Sequence, residues 1–274
     1  MTQPFERPLR LELAYENAIT RLLQHFFKIP TFETWNEAQQ LVHEYATTVK
    51  NLFGFAQKLA ANMITHVGIQ NANSWREAAH IAGRGSLIYN LLRTEMNQPK
   101  MRDRMYFLIQ SNAQFISTIP QDVAARTVHH VQQEQMAGRR SEDILHDLAP
   151  YMRELKKWQI RRIARTEVAK ADTAITRTRA EELNLNWYKW STSHDARVRK
   201  SHRHMSEVLV NWNDAPSPEL LVHEKNAGSY HAGNIYNCRC IALPVVAVDD
   251  IDWPSKVFTN GRILRLSKTQ FMRL

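Results

Sequence analysis

The chain has 274 residues, 43% of them apolar and 23% charged, which supplies a real core and excludes a disordered polyelectrolyte. No apolar run approaches the roughly twenty residues of a transmembrane helix, and two cysteines are too few for a disulfide framework. The formal net charge of +9 reads either as attraction to a polyanion, whether nucleic acid, an acidic membrane or an acidic partner, or as a solvated surface that is basic.

The first residues, Met1 to Arg7, lack the basic start and apolar middle of a signal peptide, so a cytoplasmic origin is expected. Only eight glycines occur, which favours helix over sheet. Residues 6–28 are predicted helical, with Leu9, Leu13, Ile19, Leu22, Leu23, Phe26 and Phe27 near helical spacing and Pro30 as the stop. Thr34-Trp35-Asn36-Glu37 is a capping-box pattern. It opens a helix to about His66, with Leu41, Tyr45, Val49, Leu52, Ala56, Leu59 and Met63 on one face and Gly68 as its end. Ser74-Trp75-Arg76-Glu77 is a second such pattern, opening a segment to about Met96. Gly83 and Gly85 weaken the middle of that segment by about 1 kcal/mol each relative to alanine.

A turn at Gln98-Pro99-Lys100 leads to a predicted helix over 101–117, with Met105, Leu108, Ile109 and Ile116 inward. Pro120 suits the first residue of a helix reaching about Met136, ended by Gly138. Ser141 caps a short helix, 142–148, before Pro150. Helices of these lengths joined by short loops predict an all-α bundle.

The longest predicted helix is 152–183. Ile160, Ala164, Val168, Ala171 and Ile175 form its apolar stripe. Lys156, Lys157, Arg161, Arg162 and Arg165, followed by Lys170, Arg177 and Arg179, make it cationic. The cations read either as a solvated face or as contacts to DNA phosphates or an acidic partner. Glu167 falls inside the apolar stripe, where a carboxylate needs a partner. Arg197 or Arg199 is the expected one.

Beyond this helix the texture changes. Residues 187–192 alternate as a strand does, 195–205 read as a loop with a short helix, and 206–236 as an irregular excursion. Over 238–247, Ile241, Leu243 and Val245 share one face, and Cys238, Cys240 and Ala242 the other. In the tail, Val257-Phe258-Thr259 and Arg262-Ile263-Leu264 flank Asn260-Gly261, a hairpin signal. The expected fold is therefore α+β and predominantly α. An N-terminal helical bundle precedes a long basic helix and a small C-terminal α+β unit with short strands.

Both cysteines and five histidines, His194, His202, His204, His223 and His231, lie between 187 and 240. One reading is zinc. His202, His231, Cys238 and Cys240 supply the two imidazoles and two thiolates of a tetrahedral structural site. The opposing reading rests on the single residue between the cysteines, which is closer than common zinc spacings. It makes them small buried thiols on a strand, with the histidines bonded to backbone or to Asp195. Asp195, Arg197 and Arg199 likewise read as a salt-bridge network with Glu167 or as catalytic groups. The structural reading is preferred, because the arginines flank a valine as on one charged strand face. A metal-dependent nuclease using His194, His202, His204 or His231 with Asp195 is the enzymatic alternative, and a DNA-binding protein is a further one. No phosphate-cradling glycine loop or nucleophile elbow occurs.

The order Arg165-Thr166-Glu167, then Tyr188-Lys189-Trp190-Ser191-Thr192, then Asp195-Ala196-Arg197-Val198-Arg199-Lys200-Ser201-His202, then His231, then Asn237-Cys238-Arg239-Cys240 resembles the phage Mu F-like minor head protein family, the phage head morphogenesis domain. The resemblance covers roughly residues 110–247. It departs at Ser206-Glu207, where the family tends to place a glycine. It divides the chain into an N-terminal helical region (1–110), the head-morphogenesis domain (111–249) and a C-terminal tail (250–274). It implies a non-enzymatic minor head protein of a tailed phage, near the portal, acting in head assembly and in DNA packaging or ejection. The implied partners are the portal protein, major capsid or scaffold proteins and packaged double-stranded DNA, with no membrane. The implied place is the virion head, after assembly in the host cytoplasm. In this reading Glu167, Asp195, Arg197, Arg199 and His202 are an architectural cluster, and structural zinc is the one candidate cofactor.

Overall fold

The computed structural model describes residues 4–47, 52–81, 83, 85–95 and 98–274. Val49, Met96 and residues 1–3, used in the sequence reading, lie outside that set. The architecture is predominantly α with one small mixed sheet, the expected α+β class. Two compact units partition the chain discontinuously. A helical unit comprises Arg10–Ile64 and Phe107–Arg165, and a sheet unit comprises Met1–Leu9, Thr65–Tyr106 and Thr166–Leu274.

The helical unit takes in most of α1 (Leu9–Phe26), all of α2 (Trp35–Thr47) and α6 (Ile119–Met136), and parts of α3 (Leu52–Ile81), α5 (Pro99–Ser117) and α7 (Ser141–Glu182). The inward row of α1 is Glu12, Tyr15, Ile19 and Leu23, whereas Leu9 and Leu13 are 52% and 60% exposed. Apolar spacing alone offered both rows. The polar tip of Tyr15 decides between them, since its hydroxyl donates to Asn112 Oδ1 at 3.2 Å inside the unit. Helix α2 begins with the expected capping box: Glu37 N–H donates to Thr34 Oγ1 and Thr34 N–H to Glu37 Oε2, both at 3.3 Å. It packs on α6.

Two expected helix breaks are absent. Pro150 lies inside α7, so the predicted 142–148 and 152–183 are one helix. A proline interrupts the backbone ladder at a cost of about 3 kcal/mol, and here Ile144, Leu148, Ala149 and Met152 are all buried around it. Packing on both sides of the proline holds the helix through it. Gly68 likewise fails to end α3, which runs on to Ile81. Its carbonyl accepts from Arg179 Nη2 at 3.2 Å, and a Cβ there would sit 4.0 Å from Ile175. Ser74 caps nothing; its hydroxyl donates back to Gln70 O at 3.4 Å, and the adjacent Trp75 is wholly buried. The real interruption is Gly83, at φ +66°, ahead of α4 (Gly85–Thr94).

In the sheet unit, β1 (Trp187–Ser191) lies between β3 (Ile241–Pro244) and β2 (Leu209–Asn211), antiparallel to both. Strand β2 then pairs in parallel with β4 (Ser255–Thr259), whose hairpin partner is β5 (Arg262–Leu266). Tyr188 and Trp190, two apart on β1, are both wholly buried, and they share one core with Trp212, Tyr230, Cys238 and Cys240. The predicted hairpin forms as read: Asn260 and Gly261 have φ of 51° and 74°, the two positive values of a type I′ turn. β2, inside the supposed irregular excursion, was not legible at three residues. The boundary at 249 follows the family-like stretch, whereas packing carries residues 255–266 into the same sheet. Two short helices, α8 (Lys200–His204) and α9 (Lys268–Phe271), complete the unit.

A buried polar network lies along the later part of α7. Arg179 donates to Glu95 Oε2 at 2.7 Å and Oε1 at 2.6 Å and to Asn71 Oδ1 at 2.5 Å. Asn71 Nδ2 in turn donates to Asp172 Oδ1 at 2.6 Å and Thr176 Oγ1 at 2.7 Å. Among the described residues, no helix is long and apolar enough to cross a membrane.

Candidate functional site

Helix α8 is only five residues long, yet it buries Ser201 and His202. Ser201 donates to Glu219 Oε1 at 3.2 Å, which fixes α8 against the excursion. Tyr230, also on the excursion, donates its hydroxyl proton to the same oxygen at 2.6 Å. That commitment sets the histidine tautomer. Tyr230 has no proton left for His202 Nε2, 2.9 Å away, so Nε2 carries the proton and donates it. His202 Nδ1 is then a bare lone pair, facing Cys240 Sγ at 3.4 Å and Cys238 Sγ at 3.6 Å.

The cysteines reach this point because the chain ahead of β3 folds back on itself. Asn237 is left-handed at φ 57°, Cys238 N–H bonds Ile235 O, and Cys240 N–H donates to Cys238 Sγ at 3.4 Å. Both sulfurs therefore project to one side, as predicted, though from a loop and not from the strand. The loop is tied to α7 by Asn237 N–H donating to Thr166 Oγ1 at 3.0 Å. Next to it, Thr173 donates to Ala232 O at 2.8 Å. Gly233, at φ +86°, allows this closeness: a Cβ there would sit 2.4 Å from Thr173 Oγ1. The two thiols share protons unequally. The hydrogen bond from Cys240 holds Cys238 well below the usual thiol range, while Cys238 and then burial push Cys240 up.

Three of the four predicted zinc ligands thus meet: the donor atoms of His202, Cys238 and Cys240 lie within 4.8 Å of one another, all buried. His231 does not join them. Its Nδ1 lies 3.2 Å from Tyr188 Oη and its Nε2 3.4 Å from Arg177 Nη1. Burial, then the Arg177 charge, pushes its pKa down to about 4. A ring held neutral beside a guanidinium is a poor place to add a second cation.

The predicted salt-bridge cluster is also rearranged. Asp195 is gripped by both terminal nitrogens of Arg239, with Nη2 to Oδ1 at 2.8 Å, and caps its own loop by accepting from Arg197 N–H at 2.8 Å. Arg239 holds the Asp195 carboxyl below its ordinary pKa. The Arg197 side chain is 80% exposed, 3.7 Å from Asp195. Arg199 donates to Tyr236 O at 3.0 Å and lies over the Tyr236 ring. Neither is the partner of Glu167. That carboxylate takes Lys170 Nζ at 3.0 Å, one turn along its own helix, and burial raises its pKa against the lysine. A lysine stem lying along the helix keeps its ammonium near water while reaching a buried neighbour, so no distant arginine is required. Glu219 and Tyr230 carried no signal in the sequence, while Thr166 and Arg239 stood in the family-like motifs without an expected role. Arg239 stood between the two cysteines that drew attention.

The basic stretch of α7 is engaged within the helical unit. Lys156 donates to Phe27 O at 2.7 Å over the Phe27 ring, and burial lowers its pKa. Arg161 meets Glu16 at 3.3 Å and Arg165 meets Glu12 at 3.0 Å. Arg162 donates to Gln159 and stacks on Trp158, and Lys157 faces Glu154 at 3.8 Å. This pattern ties α7 to α1 and to its own turns.

Residues 126–243, from α6 into β3, match the family described as Phage Mu protein F like protein. The match bears out the expected resemblance over that stretch. A protein of Haemophilus influenzae, named only as uncharacterized, is 28% identical over 180 residues, 65% of this chain and 36% of that protein. The chain thus spans well under two thirds of that relative's length. No solved structure matches the chain.

Proposed function

We propose, with a Mu F-like region at residues 126–243 as the premise, that this protein is a non-enzymatic minor head component of a tailed phage. It works in head morphogenesis near the portal, with the portal protein and the major capsid or scaffold proteins as partners. The observation that carries this reading is where the family-like residues sit. Thr166, His202, Cys238 and Cys240 are buried and bonded to one another's loops, as joints of a scaffold are. The nuclease alternative needs a base, a metal and a phosphate clamp converging on a cleft, whereas His202 is enclosed and Asp195 is committed to Arg239. The cations expected to meet packaged DNA, Lys156, Lys157, Arg161, Arg162 and Arg165, already have partners within the helical unit.

The test is mass spectrometry of gradient-purified particles and of DNA-free procapsids, with this chain quantified against the portal protein. Presence in both at a low ratio to the portal is expected. Absence from both overturns the assignment.

A further inference from the structure

We propose that His202, Cys238 and Cys240 are the protein ligands of a Zn(II) ion, with Tyr230 and Glu219 as the hydrogen-bond chain that orients the histidine. The proposal goes beyond the head assignment and does not depend on it.

The geometry is close to what the metal needs. Zinc bound at about 2.3 Å to sulfur and about 2.0 Å to nitrogen in a tetrahedron separates those donors by roughly 3.5 Å. His202 Nδ1 lies 3.4 Å and 3.6 Å from the two sulfurs.

The outer groups point the same way. A metal-bound imidazole characteristically donates its other N–H to a carboxylate or its relay. Here Nε2–H runs to Tyr230 and on to Glu219. Glu219 is 7% exposed and leaves Oε2 without a hydrogen bond. A buried carboxylate so placed is costly unless a cation acts on it through that chain. Three protein ligands leave the fourth position to water or another small donor.

The measurement is metal analysis of the reduced full-length chain, purified without chelator. About one zinc per chain is expected. Less than about a tenth of an equivalent, both as purified and after zinc is added and the excess removed, overturns the proposal. X-ray absorption at the zinc edge reads the ligands without any variant. A shell with two sulfurs is expected, and one without sulfur overturns it. Tyr230→Phe weakens zinc affinity about tenfold or more through the outer chain. Folded His231→Gln retains full zinc, and its loss there overturns the three-residue assignment. Folded Cys240→Ser that keeps wild-type zinc affinity does so as well.

Discussion

Between Lys157 and Arg162, α7 keeps its cations near solvent. Arg161 meets Glu16 with half of its side chain exposed, and Lys157 faces Glu154 with both side chains mostly exposed. Further along the same helix, the Arg179 side chain is 2% exposed and its guanidinium is spent on Glu95, Asn71 and Gly68. The two stretches look alike as sequence, with arginines at helical spacing. Water separates their energetics. An exposed pair is screened and contributes about 0 to 1 kcal/mol. Removing one member of a buried pair strands the other charge and costs about 3 to 5 kcal/mol. What a basic helix does cannot be inferred from its charge count, only from what each charge faces.

Four experiments test that contrast. Arg179→Ala leaves Glu95 buried without its guanidinium, and urea unfolding should lose about 3 to 5 kcal/mol. A loss under about 1 kcal/mol would erase the contrast. Gly233→Ala probes packing without charge in the same sheet unit. The left-handed backbone and the contact with Thr173 should destabilise by about 2 to 3 kcal/mol. A near-neutral result would mean that the 230–240 loop shifts freely and does not fix the site.

The third experiment is a pH series. Asp172 is pushed up to about 6 by burial, against the Asn71 hydrogen bond and the Arg179 charge. A raised folded-state pKa gives stability that is full below the unfolded value of 3.8 and is lost as pH rises to about 6. His231, pushed down to about 4, gives stability that is full above 6.5 and is lost as pH falls toward 4. The two oppose each other in one window. Asp172→Asn should expose the histidine, so that stability falls more steeply between pH 6 and 4, by on the order of 2 kcal/mol relative to wild type. Parallel pH curves for variant and wild type would place Asp172 outside the network's electrostatics. The smallest effect belongs to Arg161→Ala, which should cost less than about 0.5 kcal/mol and shrink further in high salt. A larger, salt-insensitive loss would mark that exposed pair as a true anchor of α1.

Much of the fold was legible where local chemistry decides it. The Asn260-Gly261 turn, the Thr34–Glu37 box and the alternation of Tyr188 and Trp190 are each settled within a few residues. The helix through Pro150 was not, because burial of Ile144 and Met152 is tertiary and outweighs a local penalty. In the candidate site, His202, Cys238 and Cys240 were recognisable by residue type, and their convergence followed from order along the chain. His231 was misplaced for a physical reason: its companion is Arg177, a charge on α7 distant in sequence, and only the fold brings them together. The partner of Glu167 failed the other way. A helix offers a lysine three residues on, within reach of the carboxylate along the same face.

The parallel pairing of Leu209 with Val257 has a consequence for anyone who would cut this protein at its family boundary. Residues 126–243 include β2 but not β4, the strand that covers its outer edge. An excerpt ending at 243 would present bare amide and carbonyl groups along β2, the kind of template on which chains stack into aggregates. Carried on through β5, the sheet ends on a strand with Arg262 and Arg265, charges that discourage such stacking. The stretch that identifies relatives and the stretch that completes the sheet are therefore different lengths of chain.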